Sequence, residues 1–294
     1  MHQSFWNYRG YRYAIRATVL GVLAILAYIF CPLRGEQSSG GTWLGYTLGT
    51  IAALLIVYLS WYGVRRRTFG KGGSATGWLS AHVYFGLVLV LVATLHCGFQ
   101  FGWNIHTAAY VLLVLVVASG CWGVYAYARY PSMIIRQRGN ISRAELIEEI
   151  HQLDGRALKL ASVLPADVHD LVADTIHRTQ IGGSVWAMLR GYDESTMLLP
   201  AAAGAGARIV SNQSQRALIE VLAGRLAAQT DSAEIGKMHT LLDIVARKAA
   251  LVGKLQKDVQ LQGLIQFWLY LHLPLCFALL AALVAHIVAV FFYW

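Results

Sequence analysis

Charged side chains are scarce in this chain, at 13% of its 294 residues, whereas a soluble globular domain usually carries about 25%. The mean hydropathy of +0.51 agrees with that shortage. Most of the chain therefore does not suit an ordinary soluble domain. Its apolar residues instead form runs long enough to cross a bilayer, which takes about 20 residues of helix.

Cysteine motifs are also missing. The chain has no C-x-x-C-H, which excludes covalent c-type haem attachment, and no C-x-x-C, which argues against an iron–sulfur cluster or a zinc knuckle. Nor does it contain a phosphate-binding glycine-rich loop or a nucleotide-binding fingerprint. We interpret the four cysteines as small apolar side chains; they are Cys31, Cys97, Cys121 and Cys276.

Five apolar runs predict five transmembrane helices. The first begins near Ala14 and is too long for the apolar region of a signal peptide, so we expect it to be a retained span. The fold class expected is all-α, a polytopic membrane helical bundle with a helical cytoplasmic insert. The predicted spans are approximately 14–33, 44–63, 79–102, 106–128 and 264–293.

The polar stretch 129–263 differs in composition from the rest of the chain. It holds 14 of the 15 acidic residues and most of the basic ones, so it is almost neutral. Ser142 and Glu145 form a capping-box pattern, Pro165 should break a helix, and Asp231 should begin another that continues towards the fifth span. Residues 181–211 should be a loop-rich connection with one short helix. The predicted domains are 1–128, 129–263 and 264–294.

Basic residues outside this insert predict the topology. Eight of them fall on one side of a five-span protein and only Arg34 falls on the other, a strong positive-inside bias. We therefore expect the N-terminus, the 64–78 loop and the insert to be cytoplasmic, with Trp294 on the opposite side. The eight are Arg9, Arg12, Arg16, Arg65, Arg66, Arg67, Lys71 and Arg129.

Histidines form the candidate site. His82 and His96 in the third span, like His272 and His286 in the fifth, are 14 residues apart. Fourteen residues rise about 21 Å and turn to within about 40° of four full turns, so each helix places two imidazoles on nearly one face at two depths. Because the third and fifth spans run in the same direction, His82 should be level with His272, and His96 with His286.

Single histidines in membrane helices usually just hydrogen-bond a neighbouring helix, but four at matched depth favour a common function. A proton relay and a metal-ion transporter remain alternatives, although these spans lack the carboxylates that both would use. His106 is interpreted as an interfacial histidine, with a haem-propionate or quinone ligand as the alternative. Arg65–Arg67, Lys71 and Arg129 could pair with propionates on the cytoplasmic side.

Two histidine pairs on parallel helices separated by one span resemble the dihaem membrane cytochromes b. The pattern is similar to the cytochrome b of quinol–cytochrome c reductases and to the ferric-reductase-like transmembrane domain, over residues 79–128 and 264–294. The resemblance implies that the four paired histidines bind two haems b as axial ligands. It is one of spacing and topology, since the chain has no Pro-Glu-Trp-Tyr-like motif and no flavin or nicotinamide domain.

The expected function is electron transfer across a bacterial inner membrane, by a cytochrome subunit of an oxidoreductase complex in a respiratory chain. The expected cofactors are two haems b, with quinone as a further ligand. The expected partners are the quinone pool, membrane lipid and a c-type cytochrome or iron–sulfur protein; nothing indicates nucleic acid. Alternatives are a stand-alone transmembrane reductase of a metal ion or small acceptor, and a haem or metal transporter.

Overall fold

The computed structural model describes residues 4–30, 40–66, 75–139, 141–199 and 207–292, with the backbone alone for 64–66. Helices make up nearly all of its regular structure. They are α1 (Arg12–Phe30), α2 (Trp43–Arg66), α3 (Ala75–Cys97), α4 (Ile105–Arg138), α5 (Arg143–Ala161), α6 (Ala166–His177), α7 (Val185–Arg190), α8 (Arg216–Ala228) and α9 (Ser232–Phe292). Two short strands, β1 (Thr196–Leu199) and β2 (Arg208–Ser211), pair antiparallel.

Five helices in the described part of the chain are long and apolar enough to cross a membrane: α1, α2, α3, α4 and α9. In the most apolar window of each, at most 33% of the residues are buried. Large apolar side chains therefore cover the outside of these helices, which a soluble monomer rarely tolerates. The prediction of an all-α bundle with five candidate spans is confirmed.

The ends of these helices differ from the predicted spans. The third span was expected to reach residue 102, but α3 ends at Cys97, where Gly98 and Phe99 take positive φ angles of 55° and 60°. Left-handed backbone cannot continue a right-handed helix. In contrast, α4 continues ten residues past position 128 to Arg138, and α9 is one helix of 61 residues that begins at Ser232. The expectation that the last helix of the insert runs into the fifth span is confirmed.

Contacts divide the chain into two compact units. The membrane unit comprises Met1–Val124 and Trp268–Trp294, and the insert unit comprises Tyr125–Phe267. All five candidate spans contribute to the core of the membrane unit, where the buried side chains include Ala24, Leu48, Val92, Leu113 and Leu279. The core thus joins the helices that carry the four histidines to the three other spans.

The insert unit has its own apolar core, built mainly from α5, α6, α8 and the first part of α9. The capping box predicted at Ser142 is present, because its hydroxyl accepts from the backbone N–H of Glu145 and the Glu145 side chain accepts from the N–H of Ser142. The helix break at Pro165 is also confirmed, between α5 and α6. Strands β1 and β2 were not predicted; they flank 200–206, which lies outside the described residues.

Ion pairs are buried inside the insert unit. One guanidinium nitrogen of Arg138 lies 2.7 Å from both carboxylate oxygens of Asp258, whose side chain is 1% exposed. Lys248 lies 2.6 Å from Asp154, and its side chain is 4% exposed. A buried charge is stable only with such a partner, so these pairs tie α4 and α5 to α9 within this unit.

Candidate functional site

His96 on α3 and His286 on α9 lie side by side in the membrane unit. Their ring centroids are 6.0 Å apart and their ring planes are at 88°. Two imidazoles that bind one metal from opposite sides, with metal–nitrogen bonds of about 2.0–2.1 Å, have centroids roughly 6–6.5 Å apart. The distance suits axial ligation, and it also suits edge-to-face ring packing.

The orientation of His96 is fixed from α2. Its Nδ1 lies 2.8 Å from the carbonyl oxygen of Gly45. A carbonyl only accepts, so Nδ1 carries the proton, and in the neutral ring Nε2 keeps its lone pair. Gly49 makes room for this arrangement, because a Cβ there would lie 2.7 Å from Cε1 of His96. Gly45 and Gly49 of α2 therefore both position the imidazole of His96: the first accepts its hydrogen bond, and the second leaves space for its ring.

His272 on α9 is fixed in the same way from α4. Its Nδ1 lies 2.7 Å from the hydroxyl oxygen of Ser119, and that hydroxyl donates to the carbonyl of Val116 at 2.8 Å. When that hydroxyl donates to Val116, its oxygen accepts from Nδ1–H of His272, and Nε2 of the neutral ring is then unprotonated. Sequence reasoning missed Ser119, because a serine in a membrane helix usually bonds its own helix backbone.

An indole also packs against this histidine. The Trp268 ring stacks on His272 with centroids 5.2 Å apart, and its Nε1–H donates to the carbonyl of Ser119 at 2.6 Å. A Cβ on Gly123 would overlap that indole, and a Cβ on Gly120 would lie 3.6 Å from Cε1 of His272. These α4 glycines accommodate the rings of Trp268 and His272.

His82 on α3 has a different environment. Its Nδ1 is buried and has no hydrogen-bond partner among the described residues. Its ring centroid lies 4.9 Å from that of Tyr62 on α2. One turn further along α3, a Cβ at Gly86 would meet no atom within 4 Å.

His106, in the first turn of α4, contacts His286. Their Nδ1 atoms are 2.6 Å apart, and the ring centroids are 4.5 Å apart at 89°. The sequence favoured an interfacial position for His106, with a propionate or quinone ligand as the alternative, and did not predict a contact with His286 because nothing in α4 repeats the 14-residue spacing. The depth of His106, level with His286 in the five-span topology, was the one signal that could have suggested the contact.

These residues fit a haem with two axial histidines. Buried His82 has an unsatisfied Nδ1, while His96 and His272 each have Nδ1 bonded to a protein oxygen, as metal-bound histidines almost always do. No group of three or more His, Cys, Asp or Glu in the described ranges suits a bare metal ion, whereas an axial haem site needs only two. Arg129 is exposed on α4; the side chains of Arg65, Arg66, Arg67 and Lys71, the other predicted propionate partners, lie outside the described residues.

Comparison with known proteins assigns this chain to no family. No family model matches the chain, no curated protein matches it, and no solved structure matches it. The likeness to dihaem cytochromes b thus depends on the spacing of the histidines and on their contacts.

Proposed function

We propose that the protein is a dihaem b-type cytochrome that transfers electrons across a membrane. The observation that carries this proposal is that two histidines on different helices have Nδ1 hydrogen-bonded to an oxygen of the protein. His96 donates its Nδ1 proton to the Gly45 carbonyl and His272 donates its own to the Ser119 hydroxyl. Both rings would therefore offer Nε2 as the ligating nitrogen, since an oxygen bonded to Nδ1 fixes the tautomer and the orientation of a metal-binding histidine.

Each helix would contribute one ligand to each haem. His96 and His286 would hold one haem, consistent with the ring contact between them, and His82 and His272 the other, as the equal 14-residue intervals on α3 and α9 suggest. Bound haem iron supplies a one-electron couple, with a potential tuned by axial ligands, hydrogen bonds and burial. Helices α3 and α9 would each hold two imidazoles about 21 Å apart along the helix axis.

Two redox sites at different depths would carry electrons between the two membrane surfaces. The donor or acceptor on one side would be the quinone pool, and on the other a partner redox protein such as a c-type cytochrome or an iron–sulfur protein. The charge bias of the sequence supports a bacterial inner membrane location with the insert in the cytoplasm. A periplasm-only reporter fused after Trp294 should be active, and an active cytoplasm-only reporter there would refute this orientation.

The test combines haem content with histidine pairing. Purified full-length protein should contain about two non-covalent haems b per chain. His96→Ala and His286→Ala should lose the same haem and leave the same remaining spectrum and potential, because losing either axial nitrogen destroys a low-spin site. His82→Ala and His272→Ala should likewise share a second, different remainder. The control is His239→Ala, which changes an exposed histidine of the insert unit and should keep both haems.

Contrary outcomes identify what the protein does instead. Folded, membrane-inserted protein without haem would refute the cytochrome function. Haem that binds and exchanges rapidly would indicate a haem transporter, and stable haem with rapid reduction of a soluble metal chelate and no partner protein would indicate a stand-alone reductase. His82→Ala and His286→Ala sharing one spectrum would refute the pairing, since the two helices would then not be parallel.

A further inference from the structure

His106, which is not one of the four proposed ligands, lies in direct contact with one of them. His106 lies in the first turn of α4, and its Nδ1 is 2.6 Å from Nδ1 of His286. Two neutral imidazoles can approach so closely only when one ring donates and the other accepts. The contact therefore requires that one ring carry its proton on Nδ1 and the other on Nε2.

The direction of this hydrogen bond follows if His286 ligates iron through Nε2. A ligating nitrogen carries no proton, so the neutral ring of His286 has its proton on Nδ1. That proton is donated to Nδ1 of His106, which then carries its own proton on Nε2. His106 thus has the position that the Gly45 carbonyl has for His96 and the Ser119 hydroxyl has for His272.

The backbone beneath His106 is well fixed. Asn104 caps α4, since its side-chain oxygen accepts from the N–H of Thr107 at 3.0 Å and its carbonyl accepts from the N–H of Ala108 at 3.1 Å. The Thr107 hydroxyl in turn accepts from the N–H of Gly102 at 3.0 Å. A ring that projects from a capped helical turn can orient its partner more firmly than a ring from an open loop.

We infer that His106 is a positioning residue that holds the ring of His286 perpendicular to that of His96, and so sets the spectrum and potential of the haem between them. The inference rests on the proposed function. The ring of His286 is at 88° to the ring of His96 and at 89° to the ring of His106. A hydrogen bond at Nδ1 restrains rotation about the axis along which Nε2 would bind, and it also makes the ligand more basic.

The experiment compares His106→Leu with His106→Asn in the full-length protein. Leucine removes the acceptor, whereas the amide oxygen of asparagine can take the place of Nδ1. His106→Leu should shift the midpoint potential of one haem to more positive values, change the g values of that haem alone in electron paramagnetic resonance, and weaken its retention about 10- to 100-fold. His106→Asn should restore all three towards wild type, and His239→Leu, at an exposed position, should change none.

The outcomes separate this inference from the proposed function. Wild-type protein without haem refutes the proposed function, and the inference with it. Wild-type protein with two haems, together with unchanged spectra, potentials and retention in His106→Leu, refutes the inference alone. A fully low-spin pair of haems in His286→Ala also refutes it, because His106 would then be acting as an axial ligand and not as the partner of one.

Discussion

Adding a single methyl group to α2 should weaken the binding of one haem while leaving the stability of the fold nearly unchanged. In Gly49→Ala, the new Cβ would lie 2.7 Å from Cε1 and 2.9 Å from Nδ1 of His96, closer than carbon atoms normally approach. The imidazole must therefore move away from α2, and its 2.8 Å hydrogen bond to the Gly45 carbonyl lengthens or breaks. The methyl acts directly on the orientation of one proposed ligand.

The expected changes in free energy differ for the fold and for the site. Loss of the hydrogen bond costs about 0.5–1.5 kcal/mol, while replacing glycine by alanine inside a helix gains about 1 kcal/mol. The stability of the folded protein should thus change little. Loss of a partner to a metal-bound histidine typically weakens metal binding about 10- to 100-fold, so retention of one haem should fall by that factor.

The assay follows haem dissociation to an apoprotein acceptor, together with the thermal unfolding midpoint of the full chain in detergent. Gly63→Ala is the matched control on the same helix, because a Cβ there meets no atom within 4 Å. That variant should keep both haems and be as stable as wild type or slightly more so. If Gly49→Ala retained both haems as tightly as Gly63→Ala, the proposed role of the α2 glycines would be wrong.

Three further perturbations address other contacts. Ser119→Ala removes the acceptor of His272 and should weaken the haem of the other pair about 10- to 100-fold, whereas Ser119→Thr should preserve it. Asp258→Asn leaves the partly buried Arg138 without its counter-charge and should destabilise the insert unit by about 3 kcal/mol, measured by urea unfolding; a loss below 1 kcal/mol would show that the pair is solvated. Ser142→Ala should lower the unfolding midpoint at neutral pH. Hydrogen bonds from Ser142 lower the pKa of Glu145, so their stabilisation is present above the unfolded-state pKa and lost as the pH falls through the folded-state pKa. Alanine keeps the backbone N–H that bonds the carboxylate, so the difference between wild type and Ser142→Ala should narrow in acid only by the share of the hydroxyl; no difference at neutral pH would contradict the capping-box account.

The large features of this fold could be predicted because they depend on long runs of sequence. Twenty apolar residues predict a span, and a serine three residues before a glutamate predicts a helix start. The ends of the spans were harder, since α4 continues as a helix beyond the apolar region to Arg138. Strands β1 and β2 have four residues each, too few for an alternating pattern to be distinguished from a loop.

Of the candidate site, only the four histidines and the intervals between them could be predicted from the sequence. The four histidines of α3 and α9 are found by their 14-residue intervals, which one helix specifies by itself. Their hydrogen-bond partners Gly45, Ser119 and His106 lie on α2 and α4, where no interval relates them to the histidines. Such partners depend on the rotation of one helix against another, and this is set by packing across the whole core.

The continuous helix α9 constrains how this protein can evolve. Thirteen residues separate His272 from His286, and Pro274 is tolerated among them although it leaves the carbonyl of Tyr270 without its usual donor. Apolar substitutions in this interval change neither the phase nor the rise of the helix. Insertion of a single residue would instead turn one histidine by about 100° and move it about 1.5 Å along the axis, away from its partner on α3. Natural variation between the two histidines should therefore change the identity of residues freely while leaving their number fixed.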